Sequence, residues 1–351
     1  MNKTTLPRQR IFYKSMPKVE LHRHLEGSLR LTTMLEISRK HSLDLPKNVD
    51  DFRSLVQIID GEPFTHQNFL SKFSTLRLFY QSAQVIKDIT SQAIEDAALD
   101  NIRYMELRFT PVALTRLKDF PLGEAMDWVI EAADEASEKY GVMTRLIANV
   151  NRHESLELAE EVASLAVERI DKGIIALDIG GNEADFPGEE FAGIFQNAKQ
   201  AGLRITAHAA EWGPAENVKM AIEKLGAERI GHGVRVLEDD KVVAMAKERK
   251  ITFEVCPTSN YQSGVYKSIY KHPLREMIEV GLDVSINTDD PSISQINLSD
   301  EYELSIDTLK LNKNSLHESI LDAARAAFLN EVEQDILVAS LDNEFIENGQ
   351  S

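Results

Sequence analysis

The sequence has one cysteine, no long hydrophobic run and a deficit of positive charge. Cys256 is the only cysteine among the 351 residues, which excludes an internal disulfide and a metal site built from thiolates alone. Its place in the apolar run 251–256 favours a buried thiol over a reactive one. No segment is long enough to span a membrane, and residues 1–16 lack the apolar core of a signal peptide. We therefore expect a cytoplasmic protein that does not act at a membrane.

The charge balance argues against polyanionic partners. Lys and Arg number 39 against 57 for Asp and Glu, which leaves a net charge of −18. Such a surface repels phosphate backbones, so no nucleic acid partner is expected. With 43% hydrophobic and 27% charged residues, the composition is that of a globular protein with a large core. The composition leaves the oligomeric state unknown.

Short apolar runs alternate with longer segments of helical periodicity along the chain. The predicted strands are residues 19–24, 102–109, 143–150, 174–179, 203–208, 229–232, 251–256 and 284–288. They are rich in Ile, Val and Leu, as is typical of parallel strands buried on both faces. The clearest helical segments between them are 123–139, 154–170, 214–225 and 239–248. This alternation predicts a single (β/α)₈ TIM-type barrel, one domain over residues 1–351, and not an open doubly wound sheet.

The segment 27–99 is long enough to hold extra helices after the first strand. Phe69, Leu70 and Phe73 share helical spacing there. They fit a helix packed on the barrel, and equally a lid over the strand ends, where active sites of this fold lie. The tail 344–351 is expected to be frayed.

Five of the nine histidines fall at or just after predicted strand ends, where a barrel brings distant residues together. These histidines are His22, His24, His153, His208 and His232. Alternate residues of a strand face one side, so the imidazoles of His22 and His24 can begin a divalent metal site. Glu26 adds a carboxylate directly after this pair. Taken alone, the pair is better explained as two hydrogen-bonded structural histidines.

Two further strand ends carry ionisable groups. His208 can supply a third nitrogen ligand, and Glu211 follows three residues later on a loop whose helix is predicted to begin at Pro214. That position suits an acid beside the metal, although a helix-start glutamate stabilised by the helix dipole is the favoured interpretation of Glu211 alone. His232 lies between two glycines that allow close backbone approach to a ligand, and an exposed turn histidine fits nearly as well.

Asp289 and Asp290 close the eighth predicted strand. One aspartate can reach a metal while its neighbour faces a substrate, and adjacent like charges raise one pKa unless a cation lies nearby. A solvated turn before Pro291 is the alternative. Together, the four strand ends predict three imidazoles and one carboxylate around a single cation. His232, Glu211 and a second aspartate stand beside that group.

Six motifs in this order resemble the adenosine deaminase family of the amidohydrolase superfamily. They are KVELHRHLEGS (18–28), DIGGNE (178–183), HAAE (208–211), RIGHG (229–233), CPTSN (256–260) and SINTDDP (285–291), and the likeness covers about residues 17–329. The resemblance implies a zinc-dependent hydrolytic deaminase that converts adenosine, and 2′-deoxyadenosine, to the 6-oxo product and ammonia. It implies one Zn²⁺ per chain and a small purine nucleoside as the binding partner.

The resemblance also implies roles for individual residues. The zinc ligands would be His22, His24, His208 and Asp289. Glu211 would shuttle protons, and His232 and Asp290 would position the attacking hydroxide. The substrate site would include His24, with Gly181 and Asp290 at the purine, Glu26 at a ribose hydroxyl, and Phe69, Leu70 and Phe73 as an apolar wall.

Three departures from the family pattern concern the substrate more than the reaction. Ala210 replaces a usual glycine, adds a methyl near the acid and could narrow the pocket. Glu26 replaces an aspartate common in animal enzymes and also occurs in relatives acting on adenine or aminodeoxyfutalosine. Asn182 stands where aspartate is frequent. The alternative substrates are therefore adenine, aminodeoxyfutalosine and methylthioadenosine, although Gly231 stands where adenine deaminases tend to carry aspartate.

Two other classes of function fit these residues less well. A binuclear amidohydrolase usually needs a bridging lysine near the end of the fourth strand, and residues 174–181 contain none. A catalytically silent binding protein on the same fold would have lost ligands, and none is lost. The deaminase zinc site of the H-x-E and P-C-x-x-C type cannot form with one cysteine.

Overall fold

The computed structural model of the protein describes residues 8–347 and contains one sheet of eight parallel strands in sequential order. The strands are β1 (Lys18–His24), β2 (Ile102–Phe109), β3 (Met143–Asn151), β4 (Ile174–Gly180), β5 (Arg204–Ala209), β6 (Arg229–His232), β7 (Thr252–Val255) and β8 (Asp283–Ile286). The residues after β8 close the circle against β1, because His24 N donates to Asp289 O at 2.9 Å and Asp289 N donates to His22 O at 3.0 Å. The predicted (β/α)₈ barrel is confirmed.

Helices follow or separate the strands. They are α1 (Arg8–Ser15), α2 (Leu31–Lys40), α3 (Val49–Val56), α4 (His66–Leu76), α5 (Ala83–Leu99), α6 (Pro111–Thr115), α7 (Leu122–Tyr140), α8 (Leu156–Val167), α9 (Ala192–Gln200), α10 (Glu216–Met220), α11 (Asp240–Glu248), α12 (Pro257–Gln262), α13 (Leu274–Glu279), α14 (Pro291–Ser294), α15 (Leu298–Asp307), α16 (Lys313–Ala326) and α17 (Glu331–Glu347). The predicted extra helices after the first strand are α2, α3 and α4. None of the helices between residues 8 and 347 combines the length and apolar character that a membrane crossing requires.

Two local predictions need correction. The helix expected from Pro214 begins at Glu216, because Pro214 and Ala215 form a turn in which Asn217 N donates to Pro214 O at 3.0 Å. The expected frayed tail is helical through Glu347, since the buried side chain of Phe345 holds the end of α17 against the core. Residues 348–351 lie outside the described part of the chain. Cys256 is buried, as predicted.

The barrel interior beneath the strand ends is charged. Arg108 donates to Asp178 at 2.9 Å and to Glu254 at 2.6 Å, and Arg229 donates to Glu254 at 2.7 Å. These groups are buried, and each occupies the inward-facing register of its strand while apolar neighbours such as Leu107 and Phe253 pack outward. Removing one partner of a buried ion pair is strongly destabilising, so these charged side chains are held in fixed positions. Glu254 and Asp178 are thereby held beneath His22 and His208.

Candidate metal centre and active site

Four side chains from three strand ends converge at the carboxyl end of the barrel. One ligand atom from each of His22, His24, His208 and Asp289 lies within 4.8 Å of the other three. The Nε2 atoms of His24 and His208 are 3.2 Å apart, and Asp289 Oδ1 lies 3.3 Å from Nε2 of both His22 and His24. The predicted four residues are therefore brought together, in the arrangement of three imidazoles and one carboxylate.

Buried carboxylates hold two of these imidazoles from behind. Glu254 Oε2 lies 2.8 Å from Nδ1 of His22, and Asp178 Oδ2 lies 3.1 Å from Nδ1 of His208. Burial acts to raise the pKa of Glu254 and of Asp178, but neighbouring positive charges, Arg108 among them, outweigh it and keep both pKa values well below normal. Each carboxylate thereby accepts a hydrogen bond from Nδ1–H of its histidine, which leaves the lone pair on Nε2 directed into the cluster.

The donor set fits a zinc ion. Nε2 of His22 is buried and has no hydrogen-bond partner, which is costly for a polar atom unless a ligand satisfies it. Burial lowers the pKa of His24 well below its usual value, so this ring is neutral and able to coordinate. Three imidazole nitrogens and one carboxylate oxygen are ligands that zinc accepts.

The adjacent aspartates occupy opposite electrostatic states. Burial acts to raise the pKa of Asp289, but the His22 imidazole in contact with it at 3.3 Å and the surrounding histidines outweigh burial and hold the pKa well below normal. Burial and the negative charge of Asp289 raise the pKa of Asp290 well above normal. Asp290 Oδ1 has no partner, and a side chain at Gly27 would come within 1.8 Å of it, so only glycine fits there. The pair thus presents a carboxylate with a lowered pKa to the cluster and a carboxyl group with a raised pKa to the cavity.

Glu211 is a buried acid beside the cluster. Burial raises its pKa well above normal, and the negative charges of Asp289 and Glu183 add to the effect. Its Oε2 lies 3.6 Å from Nε2 of His232. A carboxylic acid that stays protonated at neutral pH in a cavity can serve as a proton donor. The helix-start interpretation does not apply, because Glu211 precedes the first residue of α10 by five positions.

Glu183 holds the loop that carries Glu211, and sequence reasoning assigned it no role. Its Oε2 accepts hydrogen bonds from the backbone N–H groups of Glu211, Trp212 and Gly213 at 3.0, 3.1 and 3.0 Å. Its Oε1 accepts from Ala210 N at 2.6 Å and from Asn217 Nδ2 at 2.7 Å. Successive backbone donors around one carboxylate form an anion nest. Glu183 was visible in the DIGGNE motif, but its partners lie on another strand end.

Ala210 acts on the backbone and not on the cavity. It adopts φ +51°, the left-handed region that favours glycine, and its buried methyl is not among the groups lining the cavity. The expectation that this methyl narrows the pocket is wrong, because it points into the core. A non-glycine residue in this conformation costs about 1 kcal/mol, which the hydrogen bonds to Glu183 offset.

Replacing Glu183 with glutamine is expected to disturb the Glu211 loop. The amide would turn one N–H₂ group toward the backbone donors, and the loss of hydrogen bonds to a charged acceptor costs at least about 2 kcal/mol. We expect a lower free energy of unfolding in denaturant titration and a lower kcat with zinc content unchanged. Asp185→Asn, two residues away and exposed, is the matched control. Equal kcat in both variants would contradict the role given to the nest.

A cavity of about 240 Å³ opens from the cluster and is lined by all the predicted substrate residues. They are His24, Glu26, Phe69, Leu70, Phe73, Gly181 and Asp290. Glu26 Oε1 accepts from Thr110 N at 2.6 Å, whereas its buried Oε2 has no partner, and burial raises the pKa of Glu26 to about 7. The cavity therefore presents several unpaired polar atoms to a small molecule.

Helix α4 combines the two interpretations left open for residues 69–73. Phe69 is buried in the core and also lines the cavity, as do the half-buried Leu70 and Phe73. The helix starts at the capping hydroxyl of Thr65, and Lys72 anchors it through a 2.8 Å ion pair to Glu62. It thus packs on the barrel and covers the cavity; movement as a lid stays a prediction.

His153 is the one strand-end histidine outside the cluster and its immediate contacts. It lines the cavity near Gly181, half-exposed, and lies 3.4 Å from Glu154. His232 lies against the cluster, with its ring centroid 4.7 Å from that of His22. Sequence reasoning missed Asp178 and Glu254 as orienting groups. The signal that could have identified them is an acidic residue at an inward-facing position of a buried strand.

Comparison with known proteins gives a consistent result. The adenosine deaminase family model matches residues 17–344. The adenosine deaminase of Klebsiella pneumoniae (strain 342) is 34% identical over 326 residues, 92% of this chain and 97% of that protein. The adenosine deaminase of Enterococcus faecalis is 34% identical over 327 residues, 91% and 96% of the two chains. The chain belongs to the adenosine deaminase family.

Solved structures of other purine deaminases are similar to this chain. An adenine deaminase from Arthrobacter aurescens is 28% identical with a TM-score of 0.87, covering 95% of this chain and 99% of its own. An Arabidopsis N6-mAMP deaminase is 27% identical with a TM-score of 0.84, covering 95% and 99%. The barrel is thus shared by deaminases whose names record different purine substrates.

Proposed function

We propose that the chain is a zinc-dependent adenosine deaminase with one zinc ion per chain, acting on adenosine and 2′-deoxyadenosine in the cytoplasm. The observation that carries the proposal is the buried Glu211, whose pKa burial raises well above normal, beside the cluster of three imidazoles and Asp289. The curated relatives at 34% identity, which bear the name adenosine deaminase, support adenosine as the substrate. A small purine nucleoside is the partner that the cavity suits.

The residues of the chain divide the reaction between them. Zinc, when held by His22, His24, His208 and Asp289, supplies a Lewis acid that brings the pKa of water toward neutrality. Glu211 donates its proton to N1 of the purine, which makes C6 electrophilic. His232 and Asp290 orient the attacking oxygen. Water adds to C6 and gives up both of its protons. One passes to the exocyclic amine, so that the C6–N bond breaks and ammonia leaves, and the other returns to Glu211, which leaves the 6-oxo purine.

The cavity also bears on the choice between adenosine and free adenine. Glu26, with an unpaired Oε2 and a pKa of about 7, suits a hydrogen bond to a ribose hydroxyl, which adenine lacks. A side chain at Gly231 would approach Cε1 of His22 to 2.9 Å, so the aspartate typical of adenine deaminases would crowd the metal ligands. Both features favour a nucleoside.

The test is ammonia release by zinc-replete protein across a substrate panel. We expect the highest kcat/KM for adenosine, with 2′-deoxyadenosine close to it and adenine far below. The panel also includes methylthioadenosine, aminodeoxyfutalosine and AMP. Hydrolysis of a cyclic amide, together with no release of ammonia from any purine, would favour the binuclear amidohydrolase. No turnover with bound zinc would favour the silent binding protein.

A second candidate substrate class is favoured by Arg77. It lines the cavity directly after α4, and its buried Nε has no hydrogen-bond partner. Among the described residues that line this cavity it is the sole Lys or Arg, and it forms no ion pair within residues 8–347. An unpaired guanidinium suits an anionic group. Arabidopsis ADAL, 26% identical, has been solved with GMP and with IMP. A nucleoside with an anionic 5′ group is therefore the second candidate.

Arg77→Met separates the two candidates. If the substrate carries a 5′ anion, kcat/KM for AMP should exceed that for adenosine and fall roughly 10–100-fold in the variant, because a hydrogen bond to a charged group contributes about 1.5–3 kcal/mol. If adenosine is the substrate, Arg77→Met should change kcat/KM for AMP and kcat/KM for adenosine by the same factor. The variant Arg39→Met, exposed on α2, serves as the control for loss of one positive charge.

A further inference from the structure

A chain of hydrogen bonds runs from the start of α13 to His232. The backbone N–H of Leu274 donates to Nδ1 of His272 at 3.2 Å. On the other side of that ring, Nε2 lies 3.2 Å from Oδ1 of Asn260. Nδ2 of Asn260 in turn lies 3.0 Å from Nδ1 of His232. All three side chains are buried, so water does not compete for these contacts.

The direction of the chain follows from its first donor. A backbone N–H can only donate, so Nδ1 of His272 accepts and the neutral ring carries its hydrogen on Nε2. Burial lowers the pKa of His272 to about 3, which keeps the ring neutral. The Nε2–H of His272 therefore donates to Oδ1 of Asn260. This contact sets an amide orientation that would otherwise be ambiguous and turns the NH₂ group toward His232.

The consequence appears at the catalytic end. With the Asn260 NH₂ group donating to it, Nδ1 of His232 must be an acceptor, and the imidazole carries its hydrogen on Nε2. That Nε2 faces the site, 3.6 Å from Glu211 Oε2 and 3.9 Å from Asp289 Oδ2. The same donor disfavours an imidazolium, which would place a second hydrogen on Nδ1.

We propose that His272 and Asn260 are positioning residues that hold His232 as the Nε2–H tautomer. His232 then donates a hydrogen bond to the attacking oxygen and is not the base that removes a proton from water. Proton transfer then falls to Glu211, the acid already assigned to it. The catalytic part of this proposal rests on the proposed deaminase function, whereas the tautomer does not and is measured without substrate.

Nitrogen NMR of protein with ¹⁵N-labelled histidine tests the tautomer directly. In the wild-type chain, with zinc bound and after its removal, His232 should show a protonated Nε2 and an unprotonated Nδ1. Its signals are identified by their loss in His232→Gln. A protonated Nδ1 on His232 in the wild-type protein would overturn the proposal, whether or not the protein deaminates any purine.

Substitutions at the two positioning residues test the relay. His272→Gln retains an amide donor toward Asn260 and should keep the tautomer, whereas His272→Met removes the donor and should give a mixture at His232. Asn260→Asp offers only acceptor oxygens and should protonate Nδ1. Tyr266→Phe is the control. The ring centroid of Tyr266 lies 5.5 Å from that of His272, but Tyr266 is not part of this series of hydrogen bonds. An unchanged tautomer in both His272→Met and Asn260→Asp would overturn the relay.

The kinetic readout separates positioning from general damage to the fold. We expect Asn260→Asp to lower kcat by about 10²–10⁴-fold, since a wrong imidazole tautomer can cost this much. Because the Asn260 side chain also hydrogen-bonds Glu211, the two His272 variants carry the kinetic test. His272→Met should lower kcat in proportion to the wrong tautomer, and His272→Gln should restore it. A shifted tautomer with normal kcat would refute the catalytic role of the donor.

Discussion

Glu211→Gln is expected to lower kcat by at least about 10²–10⁴-fold, the range of general acid–base assistance. Glutamine has nearly the same shape but no proton that it can transfer at neutral pH. In the wild-type chain, burial and the negative charges of Asp289 and Glu183 raise the pKa of Glu211 well above normal and keep that proton available. The measurement is the steady-state rate of ammonia release from adenosine.

Zinc content and KM show whether the loss is chemical. Glu211 is not part of the four-residue cluster, so elemental analysis of Glu211→Gln should give the wild-type zinc content. Glu216→Gln, exposed at the start of α10 on the same loop, is the matched control and should turn over normally. Near-normal kcat in Glu211→Gln would remove this residue from the mechanism.

His208→Ala is expected to abolish high-affinity zinc binding and, with it, turnover. Substitution of a group that only orients a metal ligand typically costs about 10–100-fold in metal affinity, so we expect removal of a direct ligand to lower the zinc affinity by more than about 100-fold. The variant also leaves the buried Asp178 without its 3.1 Å partner, although Arg108 still neutralises that carboxylate. Zinc is measured by elemental analysis after dialysis against a weak chelator.

His153→Ala is the matched control for the loss of an imidazole. His153 lines the same cavity and also follows a strand, but it lies outside the cluster. It should retain wild-type zinc content. If His208→Ala also retained zinc, the assignment of the metal ligands would fail, and with it the proposed function.

The barrel and the cluster were largely predictable from sequence. Strand bounds such as 102–109 and 229–232 agree with the structure to the residue, because apolar runs between polar turns mark buried strands. His22 and His24 could be placed on one side of a strand because side-chain orientation repeats every two residues. The closed barrel then required that their neighbours at other strand ends be close in space.

Hydrogen bonds between polar groups at different strand ends could not be predicted from the sequence. Glu183 binds backbone groups of residues 210–213, and Glu254 holds His22 from a strand more than two hundred positions away. No local periodicity encodes such pairs, because each depends on how adjacent strands are staggered around the barrel. The position of Arg77 in the cavity is likewise set by where α4 packs, which no motif specifies.

The sequence by itself determined the barrel, the residues of the cluster and the family, since alternation of apolar segments and ordered motifs are properties of the chain. Only the tertiary structure decided the state of each group in the site. Whether Asp289 is anionic and Asp290 protonated, which nitrogen of His232 carries hydrogen, and whether Ala210 reaches the cavity all depend on burial and on partners across the barrel. Electrostatic energies in a buried site are set by distances between groups, and only folding fixes those distances.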